Sequence, residues 1–536
     1  MEMLLFRAFL AACALILLLV HAQEPGFISI DCGANSNYTD SQTGLYYVSD
    51  ASFVETGISS SVALSYQSDS LEKPLWTLRS FPEGSKNCYH VKVTEHGRYL
   101  MRAYFFYGNY DEKVTPPKSF DLYLGVNLWD SVVLGDVSTS IFKEIIHVSP
   151  SNYIDVCLVN TGSGTPFISS LEFRPLRSTT YVTQSGSLML YKRMNVQPTT
   201  NRTIRYPDDV FDRVWMAYNN PDWKQLSVVY IYDVDSNTDY KPPQIVLESA
   251  GTPKIASDPL QFSLSTPDST SQLYVYMHFA EIEYLSENQS RRFNISLNGG
   301  LNGNFSSEPI SPCYTCATTF HFPSVFIGGH CDILITKTED STLPPILNAV
   351  EFYLVKDFAQ SETDQVDADA IKNIKSLYKI KDWQGDPCAP QEYLWDGLDC
   401  SFNGSNPPRI ISLNLSSNGL TGEIPPHISN LTMIQHLDLS NNSLTGSVPE
   451  FLSQLPFLKT LNLSGNMLTG SVPVELTERS QKGSISLSVE GNPNLCASVS
   501  CGKKRKKKKV VVPVVASFAS LFTLLAGLAI FWRLKM

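Results

Sequence analysis

Three near-identical runs, LNLSSNGLTGEIP from Leu413, LDLSNNSLTGSVP from Leu437 and LNLSGNMLTGSVP from Leu461, follow one another at a spacing of 24 residues. A weaker fourth copy, LSVEGNPNL, begins at Leu487. A short coil of this kind cannot bury its own apolar face, so successive copies must stack side by side. Alternate leucines on a short strand point into the stack, and Asn418, Asn442 and Asn466 are expected to hydrogen-bond the turning backbone from inside. The outward strand positions Ser412, Asn414, Asp438 and Asn462 are then candidates for an open binding face. Three full coils are near the minimum for such a stack, and its ends need covers. WQGDPCAPQEYLWDGLDC precedes the coils, with Cys388 and Cys400 on either side of Trp395, and CASVSC follows them, from Cys496 to Cys501. A disulfide is expected in each cover, stapling the edge of a small stack. A metal site is not expected, since the stretch from Cys388 to Cys400 contains no histidine.

Residues 25–356 read differently. They are rich in Tyr, Phe, Val, Thr and Ser, and runs of period two such as SFDLYLGV, QLYVYMHF and RFNISLNG predict strands throughout. The region is long for one sandwich and repeats itself: ISSLEFRPL from Ile168 parallels LNAVEFYLV from Leu347, and YLMRAYFFYGNYD parallels LYVYMHFAEIEYL. Two β-sandwiches in tandem, 25–180 and 181–356, are the simplest account. Between them and the first cover lies a connecting segment, 357–387, with one amphipathic helix. Its predicted inner face carries Val366, Ala370, Ile374, Leu377 and Tyr378. The first cover is placed at 388–408, and the coils with their second cover at 409–501.

Both ends of the sequence carry signals of export. Arg7 precedes an apolar run that closes on Val20–Ala22, which reads as a secretory signal peptide, 1–22. Val510–Trp532 is a stretch of 23 uncharged residues, and about 20 suffice to span a membrane. A basic run, 502–509, precedes it and the stub 533–536 follows, giving a single-pass protein with its N-terminus outside, at the plasma membrane. Ten Asn-x-Ser/Thr acceptors, at Asn37, Asn201, Asn288, Asn294, Asn304, Asn403, Asn414, Asn430, Asn441 and Asn462, fit a glycosylated exterior. Ten cysteines remain once Cys13 leaves with the signal peptide, an even number suited to disulfides. Six of them, Cys32, Cys88, Cys157, Cys313, Cys316 and Cys331, lie in the sandwiches with their pairing open; CYTC is read as part of a disulfide group with Cys331. The formal charge is −11, and setting aside the nine basic residues from Lys503 onward leaves −20. So acidic an exterior repels nucleic acid and favours basic ligands.

The order of these parts resembles the plant malectin-like leucine-rich-repeat receptor kinases: HFAEIEYLSENQSRRFNISLNG in a tandem sandwich, then GDPC, a few LTGxIP repeats, a lysine run and a span. The resemblance implies a mostly β fold, tandem malectin-like β-sandwiches followed by a short leucine-rich-repeat solenoid and one transmembrane helix. It also implies an ectodomain that senses an extracellular cue, with a serine/threonine kinase beyond the membrane. No glycine-rich loop, HRD or DFG stands after Trp532, so the sequence is expected to be a receptor-like protein that signals through a partner or co-receptor kinase. The alternative is part of a longer receptor kinase. Animal malectin binds a glucose disaccharide through aromatics near its FAE strand. That implication points to Phe106 and Tyr107 in the first sandwich and Tyr284 in the second, with Glu281, Glu283 or Asp111 taking sugar hydroxyls. The same aromatics also suit packing of the sandwich itself, and a peptide ligand is as compatible as a cell-wall carbohydrate.

Catalysis by these residues is not expected. Two carboxylates facing each other across a cleft would be needed for glycoside hydrolysis, and no motif places such a pair. Gly-x-Ser-x-Gly is missing and histidines number nine, so neither an enzyme nor a cofactor is expected. A non-signalling tether between membrane and wall is the remaining binding reading; an extracellular glycosidase is the enzymatic one.

Overall fold

The computed structural model describes residues 25–496 apart from 185, 230–237, 266–270, 299–304, 323–324, 327–329 and 403–406. The predicted signal peptide, the basic run, the apolar run, Asn304, Asn403 and Cys501 therefore lie outside the described residues. Among the described residues no helix is long and apolar enough to cross a membrane.

One large, mainly antiparallel sheet runs through both halves of the strand-rich region. Its central strands are, in order, Ser170–Leu176, Arg98–Phe105, Ile141–Val148, Ser187–Val196, Ala349–Lys356 and Gln272–Phe279. The first three belong to one lobe and the last three to the other. Ile145 pairs with Met189 and Ile146 with Leu188, so the sheet crosses the boundary without a break. Each lobe closes against a smaller sheet. In the first it consists of Lys86–Lys92, Tyr153–Val159, Ser119–Leu124 and Asn127–Val133, and in the second of Leu260–Ser265, His330–Lys337, Phe293–Asn298 and Phe305–Ser306. The period-two pattern decides which face packs: Phe120, Leu122 and Leu124 are buried and alternate with half-buried neighbours. Register makes the duplication explicit. Glu172 lies opposite Arg102 and Phe173 opposite Met101; Glu351 lies opposite Tyr276 and Phe352 opposite Val275.

The Arg98–Phe105 and Gln272–Phe279 strands are buried on both faces. One face fills a sandwich core. Against the other lies the segment around Ile204–Trp215, and it brings charge with it. Five guanidinium groups (Arg102, Arg174, Arg193, Arg205, Arg213) meet five carboxylates (Glu144, Glu172, Asp209, Asp212, Glu351), all buried. Glu144 accepts from Arg102 of the first lobe at 2.8 Å and from Arg193 of the second at 2.7 Å. Asp212 accepts from Arg174 at 2.8 Å and Arg205 at 2.9 Å, and Arg213 reaches Asp209 at 2.9 Å. Burial by itself would raise the Glu172 carboxyl, but the Arg205, Arg174 and Arg102 charges outweigh it and hold it down to about 2. Equal numbers of opposite charges in bonding geometry are what make such a seam tolerable.

Cysteine pairing departs from the expectation of a full set. Cys88 is bonded to Cys157 and Cys313 to Cys316, while Cys388, Cys400 and Cys496 are each disulfide-bonded. Cys32 is a free thiol, buried in the first lobe's core against the Tyr89 hydroxyl. Packing, not pairing, accounts for it.

The connecting helix runs from Gln365 to Tyr378, but its inner face is rotated from the predicted one. Asp367, Ala368, Ala370, Ile371 and Ile374 are buried, whereas Val366 and Leu377 are exposed. Asp367 turns inward because Arg409 receives it, Nε to Oδ2 at 2.9 Å and Nη2 to Oδ1 at 3.0 Å.

The solenoid sheet consists of Leu398–Ser401, Arg409–Asn414, His436–Asp438, Thr460–Asn462 and Ser486–Ser488, the last four running parallel. Leu413, Leu437, Leu461 and Leu487 stand in register. Inside, Asn466 donates to the Leu439 carbonyl at 2.9 Å and to the Leu463 carbonyl at 3.1 Å, and accepts from Leu444 N–H at 3.0 Å. Asn442 and Asn492 repeat the arrangement. Asn418 does not: it is exposed and donates to Ser416 O of its own turn. The interior ladder thus runs Asn442, Asn466, Asn492, one coil later than the repeat alone suggests.

Candidate functional site

The two lobe tips follow equivalent strands but offer different surfaces. In the first lobe the chain leaves the Arg98–Phe105 strand through Phe106 and Tyr107, and both rings turn inward to join the core. Tyr107 lies 5.4 Å from the Tyr110 ring and 6.0 Å from Phe167, and its hydroxyl donates to Asp111. Burial, then the Asp111 bond, raises the Tyr107 phenol above its ordinary range. Asp111 also meets Lys113 at 3.0 Å. Burial opposes ionisation of Asp111, but bonds from Tyr107 and Lys113 keep its carboxyl below the usual range. Phe106 and Tyr107 therefore pack the first lobe's core, and Asp111 is bonded within its own loop.

The second lobe is the reverse. The Gln272–Phe279 strand leads into Glu281, which pairs with the turn around Tyr314: Glu281 N–H reaches Cys313 O at 2.9 Å, and Thr315 N–H reaches Glu281 O at 2.8 Å. The Cys313–Cys316 bond closes that turn. Tyr314 is thereby set edge-on to Tyr284, ring centres 5.9 Å apart at 84°. Tyr284 is 83% exposed and Tyr314 53%. Beneath them Arg291 is buried, and its guanidinium donates to Glu281 at 2.7 Å, Glu283 at 2.6 Å and the Pro344 carbonyl at 2.7 Å. Glu281 is buried and fully engaged, while Glu283 keeps its side chain about half open to solvent (48%). The surface is a rigid aromatic pair with one accessible carboxylate. It can stack on an apolar ligand face and accept a hydrogen bond.

Sequence reasoning found Tyr284 and Glu283 and missed Tyr314. The signal was present, since Tyr314 stands between the cysteines of CYTC, but that motif suggested pairing and not presentation.

On the solenoid the predicted positions share one strand face. Ser412, His436, Thr460 and Ser486 form one row, and Asn414, Asp438, Asn462 and Ser488 the next. His436 bonds Thr460 at 3.1 Å and Asn462 donates to Asp438 at 3.0 Å, so much of this face is bonded to itself. Asn37, Asn201, Asn288, Asn414, Asn430 and Asn441 are exposed, as glycan acceptors must be. Asn294 and Asn462 are half-buried, with their strands already packed around them. A separate cavity of about 410 Å³ lies under the connecting segment, among Val126, Tyr153, Ile154, Phe358 and Glu362; it contains none of the predicted ligand residues.

A malectin-like domain model matches residues 30–355 and a leucine-rich-repeat model residues 408–468. The chain belongs to the malectin-like family. It is 48% identical over 541 residues to an LRR receptor-like serine/threonine-protein kinase of Arabidopsis thaliana, covering 99% of this chain and 62% of the relative. It is 45% identical over 529 residues to the LRR receptor-like serine/threonine-protein kinase IOS1 of the same plant, covering 97% of this chain and 58% of the relative. The chain thus spans about three fifths of the length of the curated relatives it matches. The ANX2 ectodomain of Arabidopsis thaliana matches at 18% identity with a TM-score of 0.50, over 62% of this chain and 97% of that one, which establishes the malectin-like fold alone.

Proposed function

We propose that the malectin-like pair is the ligand-binding part of a plasma-membrane receptor, and that the second-lobe tip takes the ligand. One observation carries the reading: Tyr284 and Tyr314 are held open to solvent by a disulfide-closed turn and a buried Arg291, beside the half-open Glu283 carboxylate. Large aromatics kept exposed and rigid are a feature of binding surfaces. Aromatic rings suit the C–H faces of a sugar, and Glu283 suits its hydroxyls, so a cell-wall oligosaccharide is the ligand class of choice over a peptide. Signalling is assigned to a partner serine/threonine kinase at the membrane, in keeping with the receptor-like kinases that the chain resembles.

The test is titration of the purified exterior portion with cell-wall oligosaccharides. Tyr284→Ala and Tyr314→Ala are each expected to weaken binding by about tenfold or more, the effect of removing a contact worth over ~1.4 kcal/mol. Unchanged affinity in both variants removes the tip from the reading; measurable hydrolysis of the sugar revives a glycosidase. A second reading, part of a longer receptor kinase, is favoured by relatives that align along 99% of this chain yet extend well beyond it. The intact mass of the native, deglycosylated protein separates the two: a kinase-sized excess supports the longer chain, and its absence the partner kinase.

A further inference from the structure

The GDPC run of the first cover plays no part in the reading above. It forms a turn seated on the first lobe. Asp386 organises it, accepting from the backbone N–H of Cys388 at 3.0 Å, Ala389 at 2.8 Å and Thr363 at 2.9 Å, and from the Thr363 hydroxyl. Gly385 has φ +66°, and a Cβ there would stand 2.8 Å from Cys88 Sγ and 3.2 Å from Cys157 Sγ. Those cysteines face each other across paired strands and form the buried Cys88–Cys157 disulfide. The glycine thus lets backbone rest directly on the bond.

Lys86, on the same strand as Cys88, is 7% exposed and donates from Nζ to the carbonyls of Asp386 at 3.1 Å and Ala389 at 3.4 Å. The charged groups around it are Asp386 from the turn and Asp155 from the neighbouring strand, and Asp155 is itself bonded to His90 at 2.7 Å. Upstream, Asn127 and Gln360 exchange hydrogen bonds at 3.2 and 3.0 Å, and Gln384 reaches Glu55 at 3.4 Å.

We propose that the Gly385–Ala389 turn is a releasable latch. Seated, it fastens the connecting segment to the first lobe and seals the Cys88–Cys157 disulfide; released, it opens that bond to reductants. Release is within reach because the seat is built from a glycine, a few backbone carbonyls and an ammonium whose burial opposes docking. Desolvation, only partly offset by Asp386 and Asp155, pushes the Lys86 ammonium down to about 8. A lysine whose seated value lies below its free value loses its proton more readily when seated, so the latch tightens as pH rises from about 8 towards 10.5.

The experiment treats the full chain with a phosphine reductant, alkylates the freed thiols, and follows the Cys88 and Cys157 peptides by mass, relative to a small-molecule disulfide. Gly385→Ala is expected to speed reduction roughly tenfold, because a methyl is forced against sulfur. Gly44→Ala, at φ +75° with nothing within 4 Å, is the control for backbone strain and leaves the rate unchanged. Thr363→Val, which removes the hydroxyl that donates to Asp386 and accepts from the Cys388 N–H, away from the Cys88–Cys157 bond, gives a severalfold increase. Should Gly385→Ala fail to fold, the wild-type protein still decides: its relative rate of reduction falls between pH 8 and pH 9.5. Equal rates in wild type, Gly385→Ala and Thr363→Val, or a wild-type rate flat across that pH range, overturn the latch.

Discussion

Asp31 shows what one buried side chain does to the pH response of the first lobe. Its carboxyl receives the Tyr38 hydroxyl at 2.6 Å and the Thr77 hydroxyl at 2.5 Å. Burial pushes it up to about 7, with Asp50 adding to the rise and the two hydroxyls and Lys73 opposing it. An acid raised in the folded state binds a proton there that the unfolded chain has already released. Asp31 therefore makes the lobe lose stability as pH climbs from about 4 to 7. Asp31→Asn should flatten that part of a melting-temperature profile; an unaltered slope would assign the effect elsewhere. The two tips supply a second comparison. Tyr107→Ala should destabilise the protein by about 3–5 kcal/mol, as for other buried aromatics, whereas Tyr284→Ala should change stability by less than about 0.5 kcal/mol in a denaturant titration. Sequence could nominate both tyrosines, since both follow a core strand, but not separate them. Burial was decided by Phe167 and Tyr110 in one lobe and by the CYTC turn in the other, neither of them a strand neighbour.

Elements were more legible than their faces. Period-two runs marked the strands and the 24-residue spacing marked the coils, because both patterns follow from backbone geometry alone. The ladder of asparagines was found one position early, since a repeat reveals equivalence but not which coil lacks a predecessor. Asn418 has no earlier turn of its kind to bridge. Asn466→Ala should therefore cost about 1–3 kcal/mol, leaving the Leu444 N–H without its acceptor and taking one of two asparagine donors from each of the Leu439 and Leu463 carbonyls, while Asn418→Ala should fall within about 0.5 kcal/mol. Urea midpoints of the two variants check this, and equal shifts would refute an interior role for Asn466. The Gln365–Tyr378 helix carries the same lesson. Its period was visible, yet its inner face turned on the Asp367–Arg409 pair, two charged residues that a hydrophobic pattern assigns to solvent.

At the scale of the whole molecule the least legible feature is the charged seam. Arg102, Glu144, Glu172 and Arg193 sit on strands at positions that alternation alone would place in water. They are buried because the Ile204–Trp215 segment covers them with Asp209, Asp212, Arg205 and Arg213, and no local pattern announces that cover. Removing one partner leaves a charge without its match, so Arg193→Met should destabilise the lobe pair by about 3–5 kcal/mol. Calorimetry should show both lobes melting in one transition, and two separate transitions in the wild type would contradict a shared seam. A sheet continuous from one lobe into the next leaves no hinge between them, and that limits how the malectin-like pair can hold a ligand. It cannot close on a ligand as two jaws do. On the proposed reading its grip comes from a surface already shaped before the encounter, so little ordering is required at contact, and differences in affinity among ligands should appear mainly in how long each one stays.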